Sequence, residues 1–267
     1  MTLRVCVAGA TGWTGRAVAE AILEAEDLVL RSAVSRSAAG TDLGEAWGGA
    51  ANGVPVHGEV NAALDEVDVL VDYTSHLAVR GHTLTAIERG VAVVIGASGL
   101  GADDFAEIAA AADRAGVGVV AAGNFSLTAA MLQAAALLVA PHLPHREIID
   151  FASSGKKDAP SGTARELAEQ LGQIAVPTPA VPIAETAGHP AARGTTIAGT
   201  QVHSLRLPSF TVSTEVVFAL PDERLTIRHD AGSSATPYVA GTLLAVRAAP
   251  RRAGLVRGLD TLLLDRG

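Results

Sequence analysis

Val5-Cys6-Val7-Ala8 runs directly into Gly9-Ala10-Thr11-Gly12-Trp13-Thr14-Gly15 and then Arg16-Ala17-Val18-Ala19-Glu20-Ala21, so a short apolar strand turns through three glycines into a helix near the start of the chain. The first glycine permits a tight turn, the second removes a side chain that would collide with a pyrophosphate, and the third lets the helix pack close on its strand. The amides that open such a helix favour an anion. A glycine triplet alone also describes an ordinary strand-to-helix turn. Its place between a strand and a helical pattern points to a dinucleotide, with Gly9, Thr11, Gly12, Trp13, Thr14 and Gly15 on the phosphate side.

Strands and helices then alternate. Leu28–Val34 and Val67–Tyr73 read as strands separated by a glycine-rich, loop-like stretch; Leu77–Arg89 reads as helix, Val91–Ile95 as strand, Asp103–Ala115 as amphipathic helix and Val117–Ala121 as strand. Near-continuous Val/Ile/Leu runs between helices describe an α/β fold, a Rossmann-like doubly wound parallel sheet, over residues 1–124. A length of 267 residues leaves room for a second domain at ~150 residues each. Residues 125–235 read as a C-terminal α+β domain: helix Thr128–Val139, strand Glu147–Phe151, helix Gly162–Leu171, a proline-rich loop Pro177–Pro190, and strands Thr195–Ile197, His203–Leu207, Thr211–Ala219 and Arg224–His229 in an open mixed or antiparallel sheet. Two last helical stretches, Pro237–Arg247 and Gly254–Leu264, are expected to place 236–267 back on the first domain.

A formal charge of −8 and a pI near 5.4 leave no basic stripe for nucleic acid, so a small molecule is the expected partner. The single cysteine, Cys6, sits within the first strand and suits a reducing cytoplasm. No apolar run reaches the ~18 residues of a membrane span, and no signal-peptide pattern opens the chain. The histidines at 57, 76, 82, 142, 145, 189 and 203 have no zinc-ligand spacing, so no metal site is expected.

The end of the second strand selects the coenzyme, because a carboxylate there accepts from the ribose of NAD while a cation suits the extra phosphate of NADP. The chain offers Ser35-Arg36, which favours NADPH, with NADH as the alternative. Tyr73-Thr74, Gly96-Ala97-Ser98 and Asn124-Phe125 leave the carboxyl ends of predicted strands, where ligands of open α/β sheets collect. In the second domain Ser153-Ser154-Gly155-Lys156-Lys157-Asp158-Ala159-Pro160-Ser161-Gly162-Thr163-Ala164 sets lysine just before a helix start, with Ser161 as N-cap and the Gly162 and Thr163 amides following. This suits a substrate carboxylate bound by Ser154, Lys156, Ser161, Gly162 and Thr163. An ordinary capped helix beside solvated lysines is the plain alternative.

These segments resemble the 4-hydroxy-tetrahydrodipicolinate reductases, also called dihydrodipicolinate reductases, of bacterial lysine and diaminopimelate synthesis. The resemblance runs through Gly9–Gly15, Asp72–Thr74, Gly96–Gly99, Asn124–Ser126, Lys156–Ala164, Gly194-Thr195 and Glu223–Leu225 leading to His229. It implies a cytoplasmic homotetramer, joined through the second-domain sheets, in which a reduced nicotinamide donates hydride to the carbon–nitrogen double bond, or the conjugated carbon–carbon bond, of a cyclic dicarboxylate after loss of water from the substrate. Lys156 matches the family's lysine. The histidine-rich stretch before it is replaced by Ala152, Ser153, Ser154 and Gly155, with Ser153 where the acid is expected, and a downstream Gly-Glu-His is replaced by Val212-Ser213-Thr214. A serine hydroxyl is a poor general acid beside an imidazole, so Lys156 and Ser153 are the catalytic candidates of a reductase with altered proton delivery. Two other functions fit the same plan: a reductive aminase or amine dehydrogenase, and a non-catalytic NADPH-binding sensor.

Overall fold

The computed structural model describes residues 2–177, 179, 181–208 and 212–264. The chain divides into two compact units, one running to Leu127 and resuming at Ala235, the other spanning Thr128–Ser234.

The first unit begins β1 (Leu3–Ala8), α1 (Trp13–Glu24), β2 (Leu28–Val34), α2 (Leu43–Ala46), β3 (Val56–His57), α3 (Val60–Ala63), β4 (Val69–Asp72), α4 (Val79–Glu88), β5 (Ala92–Ile95), α5 (Ala102–Ala115) and β6 (Gly118–Ala121). In the second come α6 (Leu127–Val139), β7 (His145–Ala152), α7 (Gly162–Ile174), β8 (Thr195–Ile197), β9 (Thr200–Arg206), β10 (Val212–Leu220) and β11 (Glu223–Ala231). The chain then returns with α8 (Thr236–Ala248), β12 (Gly254–Arg257) and α9 (Leu259–Leu264).

The first sheet is parallel, in the order β12-β6-β5-β4-β1-β2-β3. Apart from β12 this is the strand order of a doubly wound dinucleotide fold. Strands β4, β5 and β6 are buried at every position, as their unbroken apolar runs require. On one face Leu70, Val93, Ile95 and Val119 pack with Ile87 of α4 and Ile108 and Ala112 of α5. Helix α5 has defined ends: Asp104 Oδ2 accepts from Gly101 N at 2.8 Å, and Gly116 closes the helix at φ +65°.

Residues 254–257, expected to be helical, instead form the sheet's outermost strand against β6. Gly254 at φ +81° and Gly258 at φ +90° break the helical path on either side, and pairing with β6 outweighs local helical preference. The glycine-rich stretch after β2 is likewise more than a loop, carrying α2, β3 and α3.

The second sheet runs β11-β10-β7-β9-β8. It is mixed: β7 and β9 are parallel, and the other pairs are antiparallel. Helices α6 and α7 cover one face, setting Leu132, Ala136, Leu167 and Leu171 on Ile148, Val202, Val216 and Phe218. The expected strand start at Thr211 lies outside the described residues, as do Thr178 and Ala180 of the proline-rich stretch. That stretch contains two 3₁₀ turns, Ile183–Glu185 and Pro190–Arg193. Among the described residues no helix is long and apolar enough to cross a membrane.

Candidate functional site

Register brings the coenzyme candidates of the first unit to one sheet edge. Ala8 lies opposite Asp72, Asp72 opposite Ile95, and Ile95 opposite Ala121. The segments Gly9–Gly15, Tyr73-Thr74, Gly96–Ser98 and Asn124-Phe125 therefore leave neighbouring strand ends. Gly9 adopts φ +84°, and a Cβ there would lie 2.7 Å from the Tyr73 carbonyl oxygen. A Cβ on Gly15 would lie 2.1 Å from Gly9 O, so α1 meets the turn backbone to backbone. Gly12 is the N-cap and no side chain caps α1. A crowded glycine turn under an uncapped helix start suits a pyrophosphate.

Around the turn, Thr11 Oγ1 and Ser35 Oγ are 2.9 Å apart, which ties the loop to the end of β2. Ser35 is buried while Arg36 beside it is exposed. Trp13 is 55% exposed, with its ring edge against Tyr238 at 5.9 Å. Two further contacts were not legible in the sequence: Trp47 Nε1 donates to Ala10 O at 3.0 Å, and the Arg16 guanidinium lies over the Trp47 ring at 5.2 Å.

Tyr73 is more a packing residue than an exposed donor. Its hydroxyl is 2.6 Å from Thr242 Oγ1, its ring sits edge-on to Phe125 at 6.3 Å, and burial raises its phenol pKa. A Cβ on Gly96 would strike that ring at 2.2 Å. Thr74 is fixed from behind: Asp72, fully buried, accepts from Thr74 N at 2.8 Å and Thr74 Oγ1 at 2.6 Å through Oδ1, while Oδ2 lies 2.8 Å from His82 Nδ1. His82, scattered in the sequence, is thus part of this support. Cys6 is buried in β1, and burial pushes its thiol up to about 12.

In the second unit, strand β7 carries two charged residues on the helix-covered face, and each meets one end of α7. Arg146 donates to Leu171 O at 2.9 Å and also to Ala175 O, both at the C-terminal end. Asp150 Oδ2 accepts from Ser161 N at 2.9 Å at the N-terminal end. Cation at the carboxyl end and carboxylate at the amino end match the helix dipole, so one strand holds α7 at both ends. Burial lowers the Arg146 pKa. Ser161 caps the helix as its sequence predicts, Oγ accepting from Ala164 N at 3.3 Å, with Gly162 and Thr163 in the first turn.

Ser153, Ser154 and Lys156 lie in the loop that leads to this helix. Lys156 N donates to Ser153 O at 3.1 Å, closing a tight turn, and Lys156 Nζ pairs with Asp158 Oδ1 at 2.9 Å. Burial pushes the Asp158 carboxyl up, but the hydrogen bond and charge of the Lys156 ammonium, with Arg206 nearby, hold its pKa below the ordinary carboxylate value. Lys156, Lys157 and Arg206 set three cations against Asp150 and Asp158, so this end of the unit retains positive charge for an anion.

The two stretches that depart from the family pattern are cross-strand neighbours. Val212 lies opposite Ala152, Ser213 opposite Phe151, and Thr214 opposite Asp150. Farther along the same row Thr214 lies opposite His229, a buried imidazole whose pKa burial lowers. Phe151 is covered by the Arg228 guanidinium at 4.8 Å, and Arg228 is held in turn by Asp230 and Glu215. Thr214 Oγ1 is buried and has no partner among the described residues. Thr214→Val keeps the shape and removes that unsatisfied hydroxyl, so it is expected to stabilise the protein by about 1 kcal/mol; a lower melting temperature by circular dichroism would contradict the assignment.

On the opposite face of this sheet, uncovered by α6 and α7, Glu147, Ile149, His203, Val217 and neighbouring residues line a cavity of about 800 Å³. His203 Nε2 lies 2.7 Å from Glu147 Oε2, so this histidine too is engaged.

Comparison with known proteins matches two family models end to end: "Dihydrodipicolinate reductase, N-terminus" over residues 3–125 and "Dihydrodipicolinate reductase, C-terminus" over residues 124–263. The 4-hydroxy-tetrahydrodipicolinate reductase of Thermosynechococcus vestitus is 37% identical over 268 residues, covering 98% of this chain and 97% of its own. That of Desulfitobacterium hafniense is 37% identical over 271 residues, covering 98% of each. Among solved structures, a dipicolinate-bound dihydrodipicolinate reductase from Paenisporosarcina sp. TG-14 superposes with a TM-score of 0.79 at 26% identity, over 98% of this chain and 99% of the other. An amine dehydrogenase from Mycobacterium smegmatis shares the fold, with a TM-score of 0.69 at 15% identity over 97% of this chain and 96% of the other.

Proposed function

Since the chain belongs to the dihydrodipicolinate reductase family, and is thereby an NAD(P)H-dependent oxidoreductase acting on a carbon–nitrogen double bond, we propose that it reduces a cyclic imine dicarboxylate of the 4-hydroxy-tetrahydrodipicolinate type with NADPH. The observation that carries this reading is the Lys156–Thr163 segment, where an ammonium precedes a helix start held in place by Asp150. Gly9–Gly15, Thr74, Gly96–Ser98 and Asn124 of the first unit hold the coenzyme. Lys156 and the Gly162 and Thr163 amides of the second hold a substrate carboxylate, assisted by Ser154 and the Ser161 N-cap.

A reduced nicotinamide held there would supply a hydride to the conjugated C=C–C=N system left once the 4-hydroxyl departs as water, the hydride entering at the carbon that bore the hydroxyl and the ring nitrogen taking up the proton. Lys156 lowers the barrier by binding the carboxylate and by placing positive charge near the developing electron pair. With Ala152 and Ser153 where the family carries histidine, the hydroxyl of Ser153 orders water rather than acting as acid. The proton reaches nitrogen from that water or from Lys156, and a substrate that arrives as an iminium needs neither. The buried polar row of Asp150, Thr214 and His229 lies beside the altered stretch and supports a changed route of proton delivery.

NADPH is favoured over NADH because Ser35, Arg36 and Ser37 follow β2 with no carboxylate among them. Arg36→Ala is expected to raise KM for NADPH about tenfold, the loss of one charge-assisted phosphate contact, and to leave NADH nearly unchanged; equal effects on both coenzymes would remove Arg36 from phosphate recognition. The free, buried thiol suits a reducing cytoplasm, and the uncovered face of the second sheet suits a homotetramer.

The test is NADPH oxidation followed at 25 °C with enzymatically generated 4-hydroxy-tetrahydrodipicolinate, beside a small panel of cyclic imines. Turnover of the dicarboxylate supports the reading. Coenzyme binding without turnover of any imine would instead favour the sensor, and ammonia-dependent turnover the amine dehydrogenase.

A further inference from the structure

We propose that Arg206 is a positioning residue for Lys156, setting the substrate-binding lysine through the backbone of Asp158. This rests on the reading of Lys156 given above. Arg206, on the last residue of β9, has a side chain 17% exposed. Its Nη2 donates both to the fully buried Asp150 Oδ2 and to Asp158 O, each at 2.8 Å, and Nη1 donates to Leu205 O at 2.9 Å. One nitrogen thus joins the carboxylate that holds the start of α7 to the loop residue whose own carboxylate holds Lys156 Nζ at 2.9 Å.

Among the described residues, the only hydrogen bond reaching residues 153–160 from outside their own turn comes from Arg206 to Asp158 O. Gly155 lies within the segment and has nothing within 4 Å of its Cβ position, so the loop is not held by packing there. Without that contact the lysine is tethered only by the turn at Ser153 and the helix cap at Ser161. With Nη1 anchored on Leu205 O, the planar guanidinium fixes the direction in which Nη2 meets both acceptors, whereas a lysine ammonium, one atom shorter and without a second nitrogen for that anchor, pairs with Asp150 but does not also reach Asp158 O.

Arg206→Lys keeps a cation beside Asp150 and is the variant of choice; Arg206→Met leaves that carboxylate buried without a charge partner and serves only as the harsher comparison. Hydrogen exchange of the free protein is read first. Arg206→Lys is expected to speed exchange in peptides spanning 153–161 while β7, β9 and α7 keep their protection. Titration with pyridine-2,6-dicarboxylate in the presence of NADPH is then expected to show about tenfold weaker binding, with KM raised more than kcat is lowered and the NADPH Kd within twofold of wild type. Unchanged exchange over 153–161 overturns the proposal whatever the substrate proves to be. So does a parallel loss of protection throughout the second unit, which marks a general structural role. Wild-type protein that neither binds the dicarboxylate nor reduces the imine contradicts the proposed function instead, while the exchange result still decides whether Arg206 sets the loop.

Discussion

Lys156→Ala is expected to lower kcat/KM for the imine dicarboxylate by about 10²–10³-fold, the cost of removing one pre-organised charged donor from a reacting site. The ammonium's present partner is Asp158, whose side chain is 44% exposed. An ion pair of that kind contributes little to stability, so the melting temperature should hardly move. Because Lys156 lies in the second unit, coenzyme affinity should stay within about twofold, a margin well below one lost hydrogen bond. Stopped-flow measurement of a single turnover separates the terms: slower hydride transfer at saturating substrate places Lys156 at the reaction, and a change in substrate affinity alone makes it a binding residue only. An unchanged rate and affinity would remove it from the mechanism.

Gly15→Ala should act on the other half of the reaction. The added Cβ would lie 2.1 Å from Gly9 O, 2.7 Å from Gly9 C and 3.2 Å from Ala10 N. All three are backbone atoms, so the clash is relieved only by moving α1 off the turn. The cost to folding is about 1–3 kcal/mol by analogy with overpacked cores. Displacing the helix start from the pyrophosphate should weaken NADPH binding by about 10²-fold, two charge-assisted hydrogen bonds in scale. Gly12→Ala provides the contrast. There the Cβ would meet only Gly9 O at 3.2 Å, which a shift of a few tenths of an ångström relieves, so stability should change less than for Gly15→Ala while coenzyme binding falls if the turn cradles a pyrophosphate. Fluorescence titration with NADPH and thermal denaturation distinguish the two. A Gly15→Ala protein that binds coenzyme like wild type would show that the turn is an ordinary strand–helix junction.

Features set by neighbouring residues were legible in the sequence. The strand Leu28–Val34 has the bounds its apolar pattern predicts, and Ser161 caps α7 as a serine before a helical run should. The loops gathered at the carboxyl edge of the first sheet follow from strand ends alone once the strands are parallel and in order. What sequence reading missed was tertiary. Asp150 and Arg206 lie 56 positions apart, and Arg146 reaches Leu171 across 25. Their signal was present but unassigned: Arg146 and Asp150 alternate with Ile148 and Ala152 on one face of β7, and a buried charge requires a partner. Tyr73 illustrates the converse: it follows β4 at the carboxyl edge of the sheet, as its strand predicts, while its hydroxyl is engaged by Thr242 from α8, 169 residues away. Residues 254–257 were misread because four apolar-rich residues do not distinguish strand from helix, and only the β6 edge decides.

The proposed reaction is hydride transfer from NADPH to a dicarboxylate bound at Lys156. Its most direct test is to supply NADPH carrying deuterium at both C4 positions, generate 4-hydroxy-tetrahydrodipicolinate in the same vessel, and weigh the product by mass spectrometry. Wild-type protein should yield tetrahydrodipicolinate heavier by a single deuterium, and Lys156→Ala should yield almost none in the same time. Unlabelled product, or labelled product formed equally fast without Lys156, would contradict it.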